Sequence, residues 1–234
     1  MSQCRLGVVL PVRRCPCRDV NGESHMLDAM PTVFIVDDEI RVRESLKLLI
    51  DSAGWQPVTF ACGLEFLSRP RTLTPSCLVL DLVLPDINGL DLQKRVAVDR
   101  VDMPIIFISG HGDVPITVQA MKAGAVEFLT KPVDSDELLS AIKQAIERSR
   151  ATLDQEEEMR LLRDRFASLT PREREVMELV VAGRLNKQVG SELGISEITV
   201  KAHRGQMIRK MKAKCVPDLV KMAEKLRLAP AAKV

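Results

Sequence analysis

Five residues stand at the ends of short apolar runs in this chain, and their types suit phosphoryl chemistry. "TVFIV" runs into Asp37-Asp38, "SCLVLD" ends on Asp81, "PIIFIS" ends on Ser109, and "EFLT" runs into Lys131-Pro132. An ionised carboxylate at the end of a buried strand is costly unless a cation or a hydrogen-bond network compensates it. If these runs are parallel strands of one sheet, their carboxyl ends share an edge, and three carboxylates, a hydroxyl and an ammonium converge there. The negative charges repel at short range, which predicts a hard divalent cation. Magnesium (or manganese) suits such a site, because magnesium takes few protein oxygens, keeps waters and leaves room for a phosphoryl oxygen. A nucleophilic carboxylate, a metal, a hydroxyl and a lysine together make a phosphoryl-accepting site. Taken singly, each residue has a plainer reading. Asp37-Asp38 can cap a helix, Asp81 can be a buried hydrogen-bonded residue, Ser109-Gly110 can be a turn, and Lys131 can be a surface cation. Their ordered placement at strand ends is what argues for a site.

The elements that must position them follow from periodicity. "TVFIV" reads as a buried strand, and the next segment has helical spacing at Val42, Leu46, Leu49 and Ile50, closed by Gly54. "PVTF", "CLVLDL", "PIIFIS" and "VEFLT" read as further strands. Helices are expected over "GLEFLSR", Leu90 to Val98, "VPITVQAMKAGA", and Asp134 to about Arg148. This alternation predicts an α/β doubly wound five-stranded parallel sheet, whose site lies beyond the carboxyl ends of its strands.

At 234 residues the chain has room for two modest domains. Residues 30–150 carry 13 Lys+Arg against 17 Asp+Glu, whereas residues 168–234 carry 14 against 7. An acidic half with a metal or phosphate site is thus followed by a basic half suited to nucleic acid. Residues 1–29 lack a sustained period and are expected to be a disordered extension, or to lie upstream of a start at Met26 or Met30. Cys15-Pro16-Cys17 is too short for a zinc knuckle, and Cys62 and Cys77 sit in apolar surroundings. Reduced thiols in a cytoplasmic protein are expected. No apolar run approaches the roughly 20 residues that span a membrane.

Residues 149–167 are charged, free of Gly and Pro, and read as a helical linker continuous or nearly so with the helix before it. Beyond Leu169 the pattern is all helical. Thr170-Pro171-Arg172-Glu173 is a helix start, with a cap, Pro at the first position and Glu at the third. Helices are expected over Asn186–Leu193, Glu197 to about Lys212, and Pro217 to about Leu226, with Gly194-Ile195-Ser196 as the turn between the first two. Val189, Leu193, Val200, Met207 and Met211 face inward in this reading, and Lys201, Arg204 and Ile208 face outward. A basic helix after a tight turn fits the major groove.

At this point two families are resembled. Residues of about 30–148 resemble the receiver domain of bacterial two-component response regulators, on "VFIVDDE", "LVLDLVLPDINGL", "ISGHGD" and "EFLTKP". Residues 168–234 resemble the four-helix LuxR-type helix-turn-helix domain, on "LTPREREV" and "NKQVGSELGISEITVKAH". The whole is similar to a FixJ/NarL-type regulator. The resemblance implies that Asp81 accepts a phosphoryl group from a sensor histidine kinase, and that Asp37, Asp38, Asp81 and the backbone carbonyl of Val83 organise the metal. It implies that Ser109 and Lys131 bind phosphoryl oxygens, that Lys131-Pro132 is a cis peptide, and that Phe128 moves with Ser109 as a switch. Phe128 has no ring hydroxyl, so it serves equally as a plain core residue. For the basic half it implies promoter DNA contacts from Asn186, Lys187, Ser196, Thr199, Lys201, Ala202, His203 and Arg204. It also implies a homodimer on phosphorylation supported by the last helix, and possible contact with RNA polymerase.

Two positions depart from the pattern. Gly190 stands where such domains usually have Ala, and Gly205 leaves the recognition helix without a side chain there. Two other function classes are weighed. An aspartyl-phosphate hydrolase usually carries a second Asp two residues after the nucleophile, where this chain has Val83. A DNA-binding regulator with a degenerate receiver conflicts with the intact acidic, Ser and Lys set. The chain is therefore expected not to be an enzyme, beyond slow loss of its own phosphate.

Overall fold

The computed structural model describes residues 30–110 and 114–227. The N-terminal extension, Cys4, Cys15, Cys17 and the His111-Gly112-Asp113 part of "ISGHGD" lie outside the described residues. The chain forms β1 (Thr32–Val36), α1 (Ile40–Ser52), β2 (Gln56–Phe60), α2 (Gly63–Ser68), β3 (Ser76–Asp81), α3 (Gly89–Asp99) and β4 (Ile105–Ser109). It continues through α4 (Val114–Lys122), β5 (Glu127–Thr130), α5 (Ser135–Ala167), α6 (Pro171–Val181), α7 (Asn186–Leu193), α8 (Glu197–Met211) and α9 (Val216–Lys225). No described helix is long and apolar enough to cross a membrane.

The five strands pair in parallel in the order β2-β1-β3-β4-β5. β1, β3 and β4 are buried along their whole length, which is why they read as continuous apolar runs. Alternate side chains divide between two cores. Val33, Ile35, Cys77, Val79, Ile106 and Ile108 pack under α1 and α5, against Leu46, Ile50, Leu138 and Ile142. Phe34, Val36, Leu78, Leu80 and Phe107 pack under α2, α3 and α4, against Phe66, Leu92, Val96 and Ala120. Burial pushes the Cys77 thiol far above its ordinary range, so it stays protonated and behaves as a small apolar residue.

The helix expected from Asp134 and the helical segment expected after Arg148 are continuous, forming one 33-residue helix, α5. Asp134 caps it by accepting from the backbone N–H groups of Asp136 and Glu137, each at 3.0 Å. Its first half covers the sheet, where buried Ser149 Oγ accepts from Ser76 N at 3.0 Å. Its second half enters a third core, in which Leu162 packs with Val176, Met177, Val180, Val189, Val200, Met207, Met211 and Leu219. Arg71 ties the helix to the base of the sheet, 2.7 Å from Glu156 and 2.8 Å from buried Asp102. The absence of a heptad in 149–167 is thus explained, since Met159, Leu162 and Phe166 face α6 to α9 rather than a second long helix.

The capping box of α6 also anchors α8. Thr170 Oγ1 accepts from Glu173 N, Glu173 Oε2 accepts from Thr170 N at 2.8 Å, and the same oxygen takes a hydrogen bond from Lys210 Nζ at 2.6 Å. Burial raises the Glu173 carboxyl, but the hydrogen bonds from Lys210 and Thr170 outweigh it and hold the group below its ordinary value. A depressed carboxyl contributes stability that is complete above its unfolded value of 4.5 and is lost as pH falls through the lower folded value. The Glu173→Gln protein is expected to lose about 1–3 kcal/mol at neutral pH and to show a flatter acid limb as pH falls below 4.5. Urea unfolding of the helical signal across that range is the check.

The two unusual glycines differ in their surroundings. A methyl added at Gly205 meets nothing within 4 Å, whereas one added at Gly190 meets the carbonyl oxygen of Ile195 at 2.7 Å. Gly205→Ala is expected to raise stability by about 1 kcal/mol through helix propensity. Gly190→Ala is expected to lower it, because the turn into α8 must move away. Denaturation midpoints of the two variants should therefore shift in opposite directions.

Candidate functional site

The strand order reverses between β1 and β3, where doubly wound sheets open a crevice at their carboxyl edge. Val36 pairs with Leu80, so Asp37 and Asp81 emerge side by side at that crevice. Both are buried, Asp38 beside them is exposed, and carboxylate oxygens of all three lie within 4.8 Å of one another. Lys131 reaches in from the end of β5, with its ammonium 2.7 Å from Asp37 Oδ2 and 2.7 Å from Asp81 Oδ2. Burial lowers the lysine, but the hydrogen bonds from its ammonium to Asp37 and Asp81 outweigh this and raise it above its ordinary value. It therefore remains charged throughout the physiological range. Buried Ser109 ends β4, and its carbonyl accepts from Lys131 N at 2.8 Å. The Lys131-Pro132 peptide is cis.

The loop after β3 accounts for its turn residues one at a time. Asp81 Oδ1 accepts from Val83 N at 3.3 Å, and Gly89 N donates to Leu82 O at 2.9 Å. Gly89 leaves no room for a side chain, since an added methyl would lie 2.7 Å from the Asp81 carbonyl oxygen. Asn88 caps α3 through Leu90 N at 2.9 Å. Asp86 accepts from Leu64 N at 2.7 Å and Gly63 N at 3.1 Å, covering the start of α2. Val83 itself is exposed.

Arg43 was not singled out by its sequence context, yet its guanidinium donates to the carbonyls of Asp37 at 2.7 Å and Asp38 at 2.9 Å. It holds the backbone of the acidic pair from the first turn of α1. Nothing local distinguishes it from Arg41; only the fold brings it there. Phe128 is half-buried and stacks on Phe107, with ring centroids 6.0 Å apart.

One divalent cation suits this donor set. Three carboxylates against one ammonium leave the edge with two uncompensated negative charges, and every side-chain donor is a hard oxygen. Asp37, Asp38 and Asp81 are the residues that would hold it.

The basic half presents α7 and α8 joined by Gly194, which sits at φ +66° in the left-handed region that glycine tolerates. Ser196 caps α8, accepting from Thr199 N at 3.1 Å. Val200, Met207 and Met211 are buried; Lys187, Ser196, Thr199, Lys201 and Ala202 are exposed, and Asn186 and His203 are half-exposed. Two orientations are corrected. Arg204 does not project freely, because its guanidinium donates to Asn186 Oδ1 and couples α8 to α7. Ile208 is half-buried against the third core rather than outward. In its place Ile198, on the first turn of α8, stands 80% exposed.

Comparison with known proteins agrees with both halves. Residues 33–143 match the response regulator receiver domain, and residues 167–223 match the bacterial regulatory proteins of the luxR family. Nodulation protein W of Bradyrhizobium diazoefficiens is 46% identical over 197 residues, which are 84% of this chain and 87% of that protein. The structure of response regulator StyR is 44% identical, covers 84% of this chain and all of that one, and superposes with a TM-score of 0.77. Full-length FixJ from B. japonicum is 37% identical over 85% of this chain and 98% of its own, with a TM-score of 0.51. With an acidic crevice at the switch point of a parallel sheet and a capped basic helix pair following it, the chain belongs to the FixJ/NarL-type response regulators, transcriptional regulators of two-component systems.

Proposed function

We propose that Asp81 is the phosphoacceptor, that it takes its phosphoryl group from a sensor histidine kinase, and that the modification promotes dimerisation and promoter binding. The observation that carries this reading is the Lys131 ammonium held 2.7 Å from both Asp37 and Asp81. A carboxylate that is buried, paired and still at the mouth of a crevice can be presented to a phosphohistidine without being free to wander. An Asp81 carboxylate oxygen forms the new bond to phosphorus, the phosphorus–nitrogen bond of the donor breaks, and its electron pair returns to the donor imidazole. Lys131 and the Ser109 hydroxyl then hold oxygens of the bound group. A divalent cation on Asp37, Asp38, Asp81 and the Val83 carbonyl would neutralise charge on those oxygens. Phe128 follows Ser109 through ring packing, having no hydroxyl to lock it.

Val83 supplies no second acid, so hydrolysis of the aspartyl phosphate is slow and regulatory, and the protein is not a metabolic enzyme. Two copies joined on phosphorylation bring two α8 helices to paired half-sites, as two-fold symmetry requires. The last helix, α9, supports that pairing, and the assembled regulator acts on promoters in the cytoplasm, with RNA polymerase as a further partner.

Incubation with acetyl phosphate and magnesium should add one phosphoryl group to the intact protein, as read by mass. Asp81→Asn should show no gain, and chelation of the metal should abolish it in the wild type. A wild-type protein that gains nothing, or an Asp81→Asn protein that gains equally, overturns the assignment. The Lys131→Met protein is expected to accept the group but to respond poorly in dimerisation, measured by light scattering.

A further inference from the structure

Three of the four residues on the outermost stripe of α8 have no hydrogen-bonding group in their side chains. Successive residues of a helix are about 100° apart, so Ile198, Ala202, Gly205 and Arg209 fall on one line, opposite buried Val200, Met207 and Met211. All four are exposed, and Ile198 is the most exposed large apolar side chain among the described residues, at 80%. Folding gives it nothing to pack on. Lys201 lies beside the stripe, 63% exposed and 3.3 Å from Glu197, and the fourth member, Arg209, ends it with a cation.

A helix that meets the major groove with Ile, Ala and Gly cannot read a base edge through donors or acceptors at those places. The apolar group that a base pair displays in the major groove is the thymine C5-methyl. We infer that Ile198 and Ala202 are specificity-determining residues that read thymine methyl groups, while Gly205 lets the helix approach the groove closely. Lys201 and Arg209 then bind the flanking phosphates, which position the helix without selecting sequence. The inference rests on α8 being the element that enters DNA. It goes further by naming which chemistry in the half-site the helix selects.

The test begins with selection of duplexes from a random pool by the full chain treated with acetyl phosphate. Each thymine of a selected site is then replaced by deoxyuridine, which removes only the methyl. Affinity should fall about fourfold at one or two positions per half-site, the value of one buried methyl. Ile198→Ala should lose that sensitivity at one position, Ala202→Gly at its neighbour, and Ile198→Val should keep it. The exposure of Ile198 means its variants should fold with an unchanged melting transition. Indifference of the wild type to every deoxyuridine, or an unaltered pattern in both truncation variants, overturns the inference and leaves DNA binding intact. Failure to enrich any duplex overturns the underlying reading as well.

Discussion

The arrangement depends on charge compensation at one edge of the sheet. Asp37 and Asp81 are buried side by side at the ends of neighbouring strands, an arrangement that repulsion would oppose without a cation between them. Lys131 supplies it from the end of β5, two strands away from β3. The requirement reaches into the fold. β4 and β5 must lie in register for the Ser109 carbonyl to receive Lys131 N, and Arg43 must leave α1 to hold the two aspartate carbonyls. The edge is compensated only in part, and that residue of negative charge is what makes it receptive to a metal.

A second constraint is mechanical. α5 belongs to two cores at once, burying Leu138, Ile142 and Ile146 against the sheet and Leu162 among the helices that carry α8. The helix contains neither Gly nor Pro, so its sequence holds none of the usual residues that kink a helix between the two cores. Arg71 adds a lateral tie through Glu156 just beyond the sheet. The exposed part of that ion pair is worth little by itself. Its placement matters more, since it meets the helix where the first core ends and the second has not begun.

Helix α8 is where local pattern and tertiary packing diverge most. The stripe of Val200, Met207 and Met211 was legible because those residues lie within a narrow arc of one helix face. Ile208 was misplaced because it lies about 80° from Val200 around the helix, at the margin where either surface or core is open to it. Arg204 was misplaced for another reason. A long basic side chain can snorkel or fold back, and here Asn186 of α7 captures it. Gly190 stood out in the sequence only as a departure from the usual Ala, yet the Ile195 carbonyl occupies the space a side chain would need.

By itself the sequence determined the chemistry of the edge. Residue type and position at a strand end are local properties, and Asp37, Asp38, Asp81, Ser109 and Lys131 could be placed from hydrophobic runs alone. The Thr170 helix cap was equally local, because a cap acts on backbone groups two or three residues away. Packing alone decided which cation meets which carboxylate, that Arg43 rather than Arg41 holds the acidic pair, and that the helix running through the charged segment is shared by two cores. It also decided that Ile198 is left uncovered. Each of these depends on what lies across a gap of many residues in the chain, and one strand of local pattern carries no information about the far side of that gap.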